Sequence, residues 1–214
     1  MNLTDLQTEF DRQVKNLLDK GYPQMAKMPV EEFMNLVSPL RAKLNNLDLP
    51  GIDLENGYLP FVLVVSSRLI PVDSMMAVIE RNNEHGVVAL RPLIPVDFKL
   101  IDQVLIPDTD IYLLLDIDRG KDYLNVTPNQ ALVMIKEEAR SPLTIDEGIA
   151  LVTQFPDFLR KNNCFSLLAS RTGKDKRVPA IWINAKKQAN LGWCWDGNPH
   201  TWLGSASAKN RLIQ

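Results

Sequence analysis

Cys194, Asp196 and His200 fall within one short stretch, "GWCWDGNPHTWLG", beside Trp193, Trp195 and Trp202. A thiolate, an imidazole and a carboxylate are the parts of a nucleophilic centre. Cysteine and histidine that act together usually come from distant positions, and no local nucleophile signature surrounds this cysteine. Cys194 also alternates with two tryptophans. On a strand it faces away from both indoles and reads as a packed small apolar side chain. Ser170 and Ser205 lack a G-x-S-x-G context, so a serine hydrolase has no support. Among Cys164, Cys194, His85 and His200 no pair has the spacing of a zinc knuckle. Neither a metal nor a cofactor is expected.

Binding chemistry is better served. Asp-Gly and Asn-Pro impose tight turns on the same stretch. Trp193, Trp195 and Trp202 offer flat apolar walls with one donor each, and His200 can donate or accept a hydrogen bond. Ser205, between Gly204 and Ser207, lets backbone amides approach a ligand. Arg140, just before "SPLT", and Arg171, at the end of an apolar run, sit where an arginine holds a carboxylate of the protein or of a ligand. Together with Asp196 these residues compose a small polar–aromatic pocket. The plainer alternative is a loop whose tryptophans plug the core. Other acids have local explanations. Asp116 and Asp118 share a face at a strand exit and cap the turn before Gly120, while Asp146 and Glu147 open a helix.

The basic segment "RTGKDKR" lacks P-loop spacing and reads as a hairpin tip. Arg171, Lys174, Lys176, Arg177, Lys186 and Lys187 near aromatics raise the idea of a single-strand platform. The net charge of −2 supplies no field for nucleic acid, which is not the expected partner. The 45% hydrophobic and 23% charged composition is that of an ordinary globular chain. No apolar run reaches the roughly 18 residues of a membrane span. Two cysteines with no secretory leader point to reduced thiols in a cytoplasmic protein.

Positioning these residues requires helices first. "LTDLQTEFDRQVKNLLDKGYP" carries Leu3, Leu6, Phe10, Val14, Leu17 and Leu18 at helical period, with Thr4 and Gln7 as a capping box and Gly21 as the stop. "VEEFMNLVSPLRAKLNNL" repeats the pattern, and Pro39 should split it. "LPGIDLENGYLP" marks a boundary, giving a helical N-terminal region over 1–50 and an α+β domain over 51–214. Residues 59–118 read as strands: "FVLVVSSRLI", "GVVALRPLI" and "IYLLLDID". "LIPVD" occurs at Leu69–Asp73 and at Leu93–Asp97, and "LIPD" at Leu105–Asp108. The simpler reading is a recurrent strand ending rather than a duplication. Two capped helices follow, at Thr127/Gln130 and Thr144/Glu147, the second broken by Pro156. "CFSLLAS" and "VPAIWIN" then form a hairpin. Partly segregated helices and strands predict an α+β fold, a helical N-terminus docked on a mixed or antiparallel sheet with two later helices.

"YLLLDIDRG", "RSPLTIDEGIALVTQFP", "CFSLLASR", "RVPAIWI" and "LGWCWDGNPHTWLGSAS" together resemble a family of bacterial hypothetical proteins, a domain of unknown function. The resemblance covers about Tyr112 to Ser207. It implies a bacterial, soluble protein and carries no activity, substrate or catalytic role. Ala208 fills a position that is cysteine in some relatives. The function expected from the residues is binding of a small molecule or protein through the tryptophan segment. Alternatives are a non-metallo enzyme pairing His200 with a carboxylate, and an interaction module using exposed tryptophans. The sequence leaves the oligomeric state open.

Overall fold

A computed structural model describes residues 1–214 apart from Asn2, Asn46, Lys174 and Gln214, and apart from the side chains of Leu3 and Thr4. The expected roles of Leu3, Thr4 and Lys174 therefore lie outside the described residues. The chain is an α+β protein. Helix α1 (Leu3–Asp19) buries Leu6, Phe10, Val14 and Leu17 and ends at Gly21, whose φ of 73° is left-handed. After one turn at Tyr22–Met25 come α2 (Val30–Val37) and α3 (Pro39–Lys43), separated at the proline as its missing donor requires. Strand β1 (Tyr58–Val65) then leads to α4 (Val72–Ala77), a short hairpin over residues 80–85, β2 (Val87–Val88) and β3 (Lys99–Leu100).

Strand β4 (Ile111–Asp118) is followed by α5 (Pro128–Glu137), β5 (Ser141–Pro142) and α6 (Ile145–Gln154). Both helices carry their expected capping boxes: Gln130 N donates to Thr127 Oγ1 at 3.2 Å and Glu147 N to Thr144 Oγ1 at 3.3 Å. The remaining strands are β6 (Cys164–Ser166), β7 (Ser170–Arg171), β8 (Arg177–Ile183), β9 (Ala189–Trp195), β10 (Leu203–Ser205) and β11 (Ser207–Leu212).

Two sheets result. One has the order β1-β4-β11-β5 and is antiparallel throughout. The other runs β10-β6-β8-β9-β2, antiparallel at its centre and parallel at both edges. A separate pair, β3 with β7, ties the segment around residue 100 to the end of the "CFSLLAS" run. The apolar faces of α1 to α3, β1, β4 and α6 share one buried cluster. Among the described residues no helix is long and apolar enough to cross a membrane.

Two expected strands are shorter than the sequence pattern predicts. "FVLVVSSRLI" leaves the sheet at Val65, and of "GVVALRPLI" only Val87–Val88 pairs. Pro71, Pro92 and Pro95 cannot donate to a ladder, so the chain turns instead. The "LIPVD" segments are accordingly not strand endings. The first places Pro71 as the N-cap of α4, the second forms a single 3₁₀ turn at Pro95–Asp97, and the third is irregular. Asp97 Oδ2 accepts from Ile94 N at 2.9 Å, so the aspartate does cap its turn.

Candidate ligand-binding site

The tryptophan segment is divided between the two faces of one sheet. Antiparallel register sets Trp193 opposite Pro179 and Trp195 opposite Arg177. On this face the Arg177 guanidinium lies 4.5 Å above the Trp193 ring and 5.2 Å from that of Trp195. Cys194 and Trp182 point the other way. Trp202 meets Trp182 edge-on at 6.2 Å, with the His200 ring 5.2 Å from Trp202. Trp195 is the most exposed of the set, at 42%. Among the described residues no carboxylate lies within ion-pair distance of His200. Cys194 is half-buried and 3.9 Å from Ser166 Oγ; burial pushes its thiol up, away from thiolate chemistry.

The two arginines are engaged separately, each by a carboxylate of the protein. Arg140 bonds Asp116 Oδ1 at 3.0 Å and Ser207 Oγ at 2.8 Å on the first sheet. Burial pushes Asp116 up, but Arg140 and Lys209 more than offset that and hold it below the usual carboxylate range. Arg171 sits 3.6 Å from Asp196 and donates to Asn129 at 3.5 Å, with its Nε buried and without a partner among the described residues. Ser205 is buried in β10, against the left-handed Gly120, where any side chain would strike the Ser205 carbonyl. Asp118 does cap the turn before Gly120, accepting from its N–H at 2.7 Å.

A cleft of about 920 Å³ opens elsewhere, where β1 and β4 meet the start of α6. All three "LIP" segments converge on it: Pro71 and Val72 from the first, Leu93 to Val96 from the second, Ile106 to Asp108 from the third. Leu90, Phe98, Leu100 and Tyr112 complete an apolar wall. Its outer lip stays wet, with Ile94 57% and Val96 65% exposed. The wall is hung from its neighbours by backbone bonds, Ala89 N to Leu191 O at 2.7 Å and Ile101 N to Ala169 O at 3.0 Å. Trp193 adds a side-chain strut: its Nε1 donates to Leu90 O at 3.1 Å.

Polar groups gather at the α6 end. Asp146 Oδ2 accepts from Ser67 N at 2.8 Å and from Ser67 Oγ at 2.9 Å. Its Oδ1 accepts no hydrogen bond among the described residues. Burial raises the Asp146 carboxyl above the usual range. Ser170 Oγ accepts from Ile145 N at 3.2 Å, and Tyr112 donates to the wholly buried Glu147 at 3.0 Å. Arg211 pairs with that same carboxylate, at 3.0 Å from Oε2. Among the described residues no group of three His, Cys, Asp or Glu is placed to hold a metal ion.

A family model for a family of unknown function, DUF5701, matches residues 16–214. The chain belongs to that family. No curated protein and no solved structure matches it. For this DUF5701 member the cleft residues Ser67, Asp146 and Leu90 escape motif reading. Asp146 has a sufficient local explanation as a helix-start acid, and Leu90 looks like one more strand residue. The available signal was the repeated "LIPVD", whose copies meet only once β1, β4 and β9 are paired.

Proposed function

We propose that this protein binds a small amphipathic molecule in the cleft, its apolar body against Leu90, Leu93, Phe98 and Ile106 and a protonated amine or hydroxyl at Asp146. The observation that carries this reading is Asp146, whose Oδ1 accepts no hydrogen bond among the described residues, in the lining of a largely apolar cleft of about 920 Å³. A partly desolvated carboxylate gains most from a donor that a ligand brings with it. The volume lies within the usual range for small-molecule sites. The exposed side chains of Ile94 and Val96 give a bound molecule apolar surface to cover. The tryptophan segment enters this reading as the support of the wall, through Trp193, and not as its lining. The free thiols Cys164 and Cys194 fit a cytoplasmic setting.

Calorimetric titration with octylamine and with octanoate tests the reading. Octylamine should bind saturably and octanoate at least about tenfold more weakly, the cost of one misplaced charge-assisted bond. Asp146→Asn should erase the preference. Absence of binding by both compounds, or an unchanged octylamine affinity in the variant, would overturn it.

A further inference from the structure

Away from that cleft, around the segments that precede β1 and follow α6, cations outnumber carboxylates. A depression of about 400 Å³ is lined by Arg81, Arg160 and Lys161 together with Glu55 and Asp157. Directly behind it Arg119 is wholly buried, an expensive place for a guanidinium. Its Nη1 donates to Leu54 O and Phe158 O, both at 3.1 Å, and its Nη2 to Glu55 O at 3.0 Å. Among the described residues none of Arg81, Arg119, Arg160 and Lys161 forms an ion pair. Among the described residues the Arg81 and Arg160 side chains each make one long bond of 3.4 Å, to Lys187 O and to Glu55 O, and the buried Arg81 Nε has no acceptor.

Two arginines and a lysine thus line one concavity with most of their donors unspent, while Arg119 behind them spends three of its five on carbonyls. Two turns present the arginines. Arg81 opens the hairpin that turns at Asn82 and Asn83, both left-handed, and Arg160 closes a β-bridge to Asn163. The carboxylates of Glu55 and Asp157 lie on the lining but, among the described residues, form no ion pair. A compact oxyanion with several acceptors is the group that uses such forks fully.

We infer that this depression binds a phosphate group, with Arg81, Arg160 and Lys161 as its ligands and Arg119 supplying fixed positive potential from below. The site is independent of the amphipathic cleft. Glu55 and Asp157 would face the rest of a phosphorylated molecule and select for hydroxyl or amine donors there.

The test is calorimetric titration with inorganic phosphate and with glycerol 3-phosphate, chloride balancing the ionic strength. Saturable binding is expected, weakened at least about tenfold by Arg160→Gln, as loss of a charge-assisted fork predicts. Arg160 is exposed, so that variant should keep the native fold by circular dichroism. Lys136→Gln, at an exposed cation of α5 that bonds Gln103, should bind as the parent does. Tighter binding of the ester assigns the site to phosphorylated molecules, and equal binding assigns it to the free anion; both uphold it. No saturable binding, or binding unchanged in Arg160→Gln and in Arg81→Gln, overturns it.

Discussion

Gln13 of α1 stands in for a missing strand beside Leu63 of β1. Its Oε1 accepts from Leu63 N at 2.8 Å, and its Nε2 donates to Phe61 O at 3.2 Å. Strand β1 is the edge of its sheet, so these backbone groups have no strand partner on that side. Both lie in the core, where an unmade bond is costly. The side-chain amide, wholly buried itself, closes the edge and fixes α1 in register with the sheet.

Gln13→Leu should therefore destabilise the protein by about 1–3 kcal/mol despite its greater apolarity, because it strands a donor and an acceptor. Urea unfolding followed by tryptophan fluorescence measures this. A variant as stable as the parent would mean that water reaches the edge and that the amide is dispensable.

Trp193 links the tryptophan segment to the cleft through its bond to Leu90 O. Trp193→Phe keeps an aromatic ring under Arg177 but removes the donor and one ring of the indole. Global stability should fall by at least about 1 kcal/mol, the usual net worth of one such bond, with the lost packing added to it. Amide exchange over residues 89–98 should quicken more than exchange in β8 and β9. Equal acceleration in all three places would assign the tryptophan a general packing role instead.

Much of the frame was legible because it rests on local rules. The apolar stripe of α1, the split at Pro39, the two capping boxes and the break at Pro156 each follow from a few neighbouring residues. Gln13 was hidden because a polar residue on a helix reads as solvent-facing unless its buried partner is known. The cleft was hidden for a related reason. Its three "LIP" segments are separated in sequence, and only the pairing of β1 with β4 and of β2 with β9 gathers them. Arg140 and Arg171 were legible as residues needing carboxylates. Which carboxylates they would find, Asp116 and Asp196, depended on the same long-range pairing.

Glu147, Arg211 and Tyr112 form a buried charged network between α6 and the first sheet. Removing one member leaves the other charge desolvated and unpaired. Arg211→Met should cost about 3–5 kcal/mol, whereas Tyr112→Phe should cost about 1 kcal/mol. The double change Arg211→Met with Glu147→Leu should recover most of the loss, since well-packed apolar replacements of a buried pair are often close to neutral. Thermal unfolding of the three variants separates these cases. A double variant no better than Arg211→Met would show that the hydrogen bonds of Glu147 to Thr144 and Tyr112 matter more than its charge.

Asp146 and Asp116 should respond to pH in opposite directions. Burial raises Asp146, so the folded state favours its protonated form. Its contribution to stability is fully present below its unfolded value and is lost as pH rises through the folded one. Asp116 is lowered by Arg140 and Lys209 against the opposing effect of burial. Its contribution is present above its unfolded value and is lost as pH falls through the folded one. Asp116→Asn should therefore be less stable than the parent at neutral pH, and the two should converge in acid. Asp146→Asn keeps an acceptor for Ser67 and removes the desolvated charge, so it should gain on the parent as pH rises from acid to neutral. Octylamine needs the ionised carboxylate. Its affinity should fall as the solution is acidified through the raised Asp146 value, beginning above the range in which an ordinary aspartate titrates. Thermal midpoints and octylamine titrations across pH 4–7 give both readings on the same samples. An affinity that stays flat over that range would place the amine away from Asp146.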